Sequence, residues 1–132
     1  MNINNTYLIF GEKVICTPSL ITRLSSKDDS YNWLVVDRWI GDYDEHDVAQ
    51  PPHKHYTKEA MKVSVDSTWK ITKISKDLTV NESWGEYTGI AKIRTEDCVL
   101  PPPKGGFTAV FNEMIKNGAI FYPLTIEHKE MV

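Results

Sequence analysis

The chain has 132 residues, of which 41% are hydrophobic and 25% charged, and a formal net charge of −3. That size makes one domain, 1–132, able to bury a core without disulfide staples. The acidic balance argues against a primary role on DNA or RNA, and no apolar run reaches the length of a membrane span.

Thr6 to Phe10 is a continuous apolar run that stops at Gly11, which predicts a strand buried on both faces, as in a parallel sheet. Val14 to Cys16 reads as a small second strand. Thr17-Pro18 reads as an N-cap and first helical position, where proline loses no needed N–H. Leu20, Ile21 and Leu24 follow at helical spacing, with an end near Ser26. Tyr31 to Trp39 predicts a second core strand. Strand, helix and strand in that order predict a right-handed parallel crossover. Gly41 to Tyr56 is acidic and then rich in proline and histidine, the composition of a surface loop.

Beyond the loop the period changes to two. Met61, Val63 and Val65 alternate with Lys62, Ser64 and Asp66, and Asp66-Ser67 turns the chain into Trp69 to Ile74. This predicts a β-hairpin with one wet face, on which Lys62 and Lys76 stand. Tyr87 to Ile93 predicts another strand. Leu100 to Gly106, with three prolines and two glycines, is a rigid connector. Phe107, Val110, Phe111, Met114 and Ile115 mark one face of a helix that Gly118 stops. Ala119 to Ile126 is a last strand, and Glu127 to Val132 a polar tail. Cys16 and Cys98 sit in or beside apolar runs, which suits buried, inert thiols rather than a disulfide framework. The polar opening Met1 to Asn5 is no signal peptide, so the cytoplasm is the expected compartment.

Chemistry concentrates between Glu59 and Ile93. Lysine is a compact point charge suited to phosphate oxygens, and Lys62 and Lys76 occupy wet positions of the two hairpin strands. Glu86 can accept hydrogen bonds from ligand hydroxyls. Gly89, inside a strand, suggests close approach of a ligand or of another backbone. Glu12 follows a strand end, where α/β proteins bind ligands, and a carboxylate there can hold Mg²⁺. His53 and His55 are a low-specificity metal pair, and a solvated loop explains them better. The four tryptophans read as core or hairpin packing.

Five segments taken together resemble the nucleotidyltransferases that activate sugar phosphates, most closely the phosphocholine cytidylyltransferase-like branch. They are Phe10-Gly11-Glu12, Val36-Asp37-Arg38, Glu59-Ala60-Met61-Lys62-Val63, Ile74-Ser75-Lys76 and Gly85-Glu86-Tyr87-Thr88-Gly89-Ile90. The resemblance spans about Thr6 to Ile126 and rests on order and spacing rather than on one motif. It implies an α/β fold, a partial Rossmann-like mixed sheet with an inserted hairpin. It also implies the reaction of a nucleoside triphosphate with a phosphorylated acceptor, giving a nucleoside-diphosphate acceptor and pyrophosphate. Lys76 and Lys62 would then serve catalysis, Glu86, Gly89 and Arg38 the substrate, and Glu12 the Mg²⁺.

The departures are specific. The family's glycine-rich nucleotide loop has no counterpart before Asn5, and its late metal aspartate has none before Val132. Glu12 stands where the family has aspartate, which moves the carboxylate by about 1.5 Å. A misplacement of that order costs roughly a hundredfold in rate, whereas loss of the whole loop removes the triphosphate site. The expectation is a truncated or split chain that keeps the acceptor side and binds a phosphorylated small molecule. The rival expectation is a non-catalytic remnant used for assembly. In both, the Thr6 to Phe10 strand lacks its neighbours, so a homo-oligomer or a companion chain is expected to cover its edge.

Overall fold

The computed structural model describes residues 6–11, 16–38, 60–99, 101 and 103–126. They form six strands and two helices: β1 (Thr6–Phe10), α1 (Pro18–Ser25), β2 (Asn32–Asp37), β3 (Lys62–Val65), β4 (Ile71–Ser75), β5 (Gly85–Arg94), α2 (Gly106–Lys116) and β6 (Phe121–Thr125). All six strands join one mixed sheet in the order β4-β3-β5-β2-β6, with β1 also paired to β5. The long β5 is therefore the spine. β2 runs antiparallel along one edge of it, while β3 and β1 share the other.

The expected parallel crossover is corrected in its pairing. β1 and β2 point the same way, but each pairs antiparallel with β5, which lies between them. The parallel pair is β2 with β6. β1 is also not buried on both faces, since Tyr7 is 43% and Phe10 41% exposed. As an edge strand it has a ladder partner on one side only among the described residues, so its apolar letters are not all enclosed.

The sheet carries a helix on each face. Leu20 and Leu24 of α1 pack against Val35, Ile90 and Leu124. Phe111 and Met114 of α2 pack against Leu34, Val36, Ala91 and Phe121 on the opposite face. Alternation along β2 sends Trp33, Val35 and Asp37 to the α1 side and Leu34 and Val36 to the α2 side. Pro18 opens α1 at its first turn as expected. Ile21, the third apolar position read from the helical spacing, points outward at 38% exposure. Gly118, with φ 97°, ends the α2 segment, a conformation that favours glycine.

Two buried polar residues fix the end of the sheet where β2 begins. Asn32 donates from Nδ2 to the Asp97 carboxylate and the Ile120 carbonyl, and its Oδ1 accepts from the Arg94 N–H. Lys92, 3% exposed, donates to the carbonyls of Ser25 and Lys27 and pairs with Asp29 at 2.5 Å. A lysine ammonium has three protons, and each is used. Lys92 thereby ties the carboxyl end of α1 to β5, where a cation also suits the helix dipole.

β6 is the outer strand on the far side, and its edge is blunted. Pro123 lacks an N–H, and Arg23 donates to the Thr125 carbonyl at 2.9 Å.

Candidate functional site

The hairpin does not leave Lys62 wet. β3 is inserted beside β5, and Lys62 is 2% exposed. The register sets Ser75 opposite Lys62, Lys62 opposite Glu86, and Glu86 opposite Asp37. Directly opposed residues project to the same face of a sheet. A row Ser75–Lys62–Glu86–Asp37 thus crosses four strands on the face that carries α1. β1, β2 and β6 all end toward this side of the sheet, and β5 begins there. Ligand crevices of α/β sheets lie beyond the carboxyl ends of such strands.

Burial pushes the Lys62 ammonium below the ordinary lysine range. The carboxylates of Glu86 and Asp77 pull it back up, and the nearby Lys76 ammonium pushes it down again. Its Nζ donates to the Ala60 carbonyl at 3.2 Å. Lys76 follows the last residue of β4 and is exposed. Two ammonium groups, one of them desolvated, therefore stand close enough to repel. An anion with several oxygens relieves that repulsion, as a phosphate does.

Glycines shape the frame in two ways. A Cβ on Gly85 would lie 2.6 Å from Val36 Cγ1 and 2.7 Å from the Asp37 carbonyl oxygen. Only glycine lets β2 pass this close to the residue before Glu86. Gly89 has φ 94° and lies in an irregularity of the β2–β5 ladder, where Leu34 pairs with Ala91 but Val36 with Tyr87. Thr88 Oγ1 donates to the Val35 carbonyl inside that bulge at 2.9 Å. The Gly89 carbonyl accepts from the Gly11 N–H at 2.8 Å, which fixes the end of β1. Three residues of β5, roughly 10 Å, separate Gly89 from Glu86.

The structure thus brings Lys62, Lys76 and Glu86 together, with Gly89 further along the same strand. Arg38 is on the other face. Its Nε donates to the Trp84 carbonyl at 2.8 Å, and its guanidinium stacks 4.3 Å from the centre of the Trp84 ring. Glu12, His53 and His55 lie outside the described residues. Among the described residues no group of three His, Cys, Asp or Glu side chains is placed to hold a metal ion. Sequence reasoning passed over Asp37, Gly85 and Lys92. Asp37 was visible only as a letter in a segment, because its place depends on which strand β2 pairs with. Gly85 carries a close approach of β2 that its place before Glu86 did not announce.

No family model and no curated protein matches the chain. Among solved structures, the chain is similar to the inositol-1-phosphate CTP transferase from T. maritima, with a TM-score of 0.59 and 17% sequence identity. The match covers 95% of this chain and 46% of that one, so the chain spans less than half the length of this neighbour. The likeness supports a nucleotidyltransferase-like fold of mixed α/β type. No helix among the described residues is long and apolar enough to cross a membrane.

Proposed function

We propose that the chain is a nucleotidyltransferase-like protein that keeps the acceptor side of the site and binds a phosphorylated small molecule there. The observation that carries this reading is the row Ser75–Lys62–Glu86–Asp37 at the carboxyl ends of β1 and β2, with Lys76 beside it. Lys76 and Lys62 hold the acceptor phosphate, and Glu86 takes a hydroxyl or a cationic head group. Glu12 is the residue assigned to Mg²⁺, which would supply charge neutralisation at the phosphates. The family reaction joins the acceptor phosphate to a nucleoside triphosphate with release of pyrophosphate. Titration calorimetry of the intact chain against phosphocholine, inositol 1-phosphate and inorganic phosphate tests the reading. Binding in the millimolar range or tighter, weakened at least fivefold in Lys76→Ala, is the expected result. No heat at any of the three ligands removes it.

The second reading is an assembly module, and the β1 edge favours it. Tyr7 and Phe10 are exposed on a strand with an unpaired outer side among the described residues. Such an edge templates pairing with another chain. Sedimentation at high concentration is expected to show a dimer, and a clean monomer counts against self-pairing.

A further inference from the structure

An open aromatic hollow shares no residue with the charged row. It encloses about 610 Å³ between the tip of the β3–β4 hairpin and the edge strand β6. Five of its lining residues are aromatic: Tyr31, Trp33 and Tyr122 on one side, Trp69 and Trp84 on the other.

The hairpin tip shows that Trp69 is not there for the turn. The Trp69 N–H donates to the Asp66 carbonyl and the Asp66 N–H to the Lys70 carbonyl, which closes a short loop with a bulge. The bulge position calls for a left-handed residue, normally glycine. Trp69 occupies it at φ 71° and is 57% exposed. A bulky residue in that conformation is an outlier of the kind found at ligand sites.

The polar atoms of the hollow define the ligand. The Trp33 indole N–H is spent on the Asp28 carbonyl. The indoles of Trp69 and Trp84 and the hydroxyls of Tyr31 and Tyr122 have no hydrogen-bond partner among the described residues. One face of Trp84 carries the Arg38 guanidinium and one of Trp33 the Lys27 ammonium, so the remaining ring faces and these N–H and O–H donors are on offer. A backbone edge is not, because Pro123 has no N–H and the Thr125 carbonyl is taken. A ligand strand cannot add to β6. A polyproline II segment fits instead, since its rings pack between aromatic ridges and its carbonyls accept from indoles and phenols. The Asp28 carboxylate at the rim accepts the Ser30 N–H and forms no ion pair with a described residue, which suits a basic residue beside the prolines.

We propose that this aromatic hollow docks a proline-rich segment with a flanking arginine or lysine from a partner protein. The test uses the intact, isotope-labelled chain, whose four tryptophans give four indole N–H signals. The probe is a capped pentaproline peptide ending in arginine. Saturable shifts of the Trp33, Trp69 and Trp84 indoles, with the Trp39 signal as reference, are expected, with a dissociation constant of about 10–500 μM. Trp69→Gly, which suits the bulge, should keep the fold and weaken binding at least tenfold. Asp28→Asn should weaken binding of the arginine peptide several-fold and leave that of plain pentaproline unchanged. Three outcomes overturn the proposal. One is no saturation at several millimolar peptide. Another is an equal response to a glycine–serine peptide ending in arginine. The third is self-association that Trp69→Gly abolishes, which would make a second copy the occupant.

Discussion

Lys62 and Lys92 are both buried in the same sheet on the α1 face, yet they are built differently. Lys92 meets the carbonyl of the last α1 residue, a carbonyl of the turn after it and a carboxylate, so its three protons are matched by acceptors. Lys62 shares its neighbourhood with a second lysine and two carboxylates, and burial holds its ammonium below the usual range. The first arrangement is a fastening. The second is a charge balance that can be changed by what binds, which is the property a ligand site needs.

The largest effect is expected from breaking the fastening. Lys92→Met removes the Lys92–Asp29 pair and leaves two carbonyls without their donor. Asp29 is 39% exposed, so solvent screens the charge pair, and most of the loss, about 3 kcal/mol, comes from the two buried carbonyls left without a donor. Urea denaturation followed by circular dichroism measures it. Adding Asp29→Asn recovers only the ion-pair share, because the carbonyls of Ser25 and Lys27 still lack a donor. Full recovery in the double variant would mean that the fastening is merely a charge pair.

Gly85→Ala comes next. The new methyl meets the Asp37 carbonyl oxygen and a Val36 methyl at under 3 Å. Overpacking of that kind costs about 1–3 kcal/mol. It forces β2 off β5 at the charged row, so binding of phosphorylated ligands should fall together with stability. A loss of stability with unchanged ligand binding would detach the row from the proposed site.

These two positions also show what the sequence could reveal. The strand segments, both helices, the hairpin and the stop at Gly118 are local, written in periodicity and in turn residues, and they were legible. The burial of Lys62 was not. Alternation put it on the wet face of a hairpin, but that face belongs to a wider sheet once β3 lies beside β5. A partner strand far along the chain decided it, and no local pattern specifies the partner. The same non-local fact hid Asp37, misassigned the neighbour of β1 and left Lys92 unremarked. Trp69 was missed for a different reason. A left-handed bulge position predicts glycine from the turn chemistry, so a tryptophan there reads as ordinary packing.

The double variant Lys62→Met/Glu86→Leu sharpens the comparison from the other side. Lys62 and Glu86 are opposed buried charges, and replacing such a pair by apolar residues of similar volume is often neutral or stabilising. Its stability should lie within about 1 kcal/mol of the parent chain, while binding of phosphorylated ligands is lost. A drop as large as that of Lys92→Met would make Lys62 a second fastening.

The smallest effect is a matter of pH, and its sign is fixed. Lys62 binds its proton less tightly in the fold than in the unfolded chain, where lysine titrates near 10.4. As pH rises through the folded value, the native state sheds a proton that the unfolded state keeps. Stability rises with pH wherever the unfolded state holds more protons. The parent chain should therefore gain stability relative to Lys62→Met between neutral pH and about pH 10, with other lysines cancelling in the difference. A saturating phosphorylated ligand should reverse the trend, because an anion favours the charged lysine. If the difference stays flat without ligand, Lys62 is as well matched as Lys92, and the distinction between fastening and site disappears.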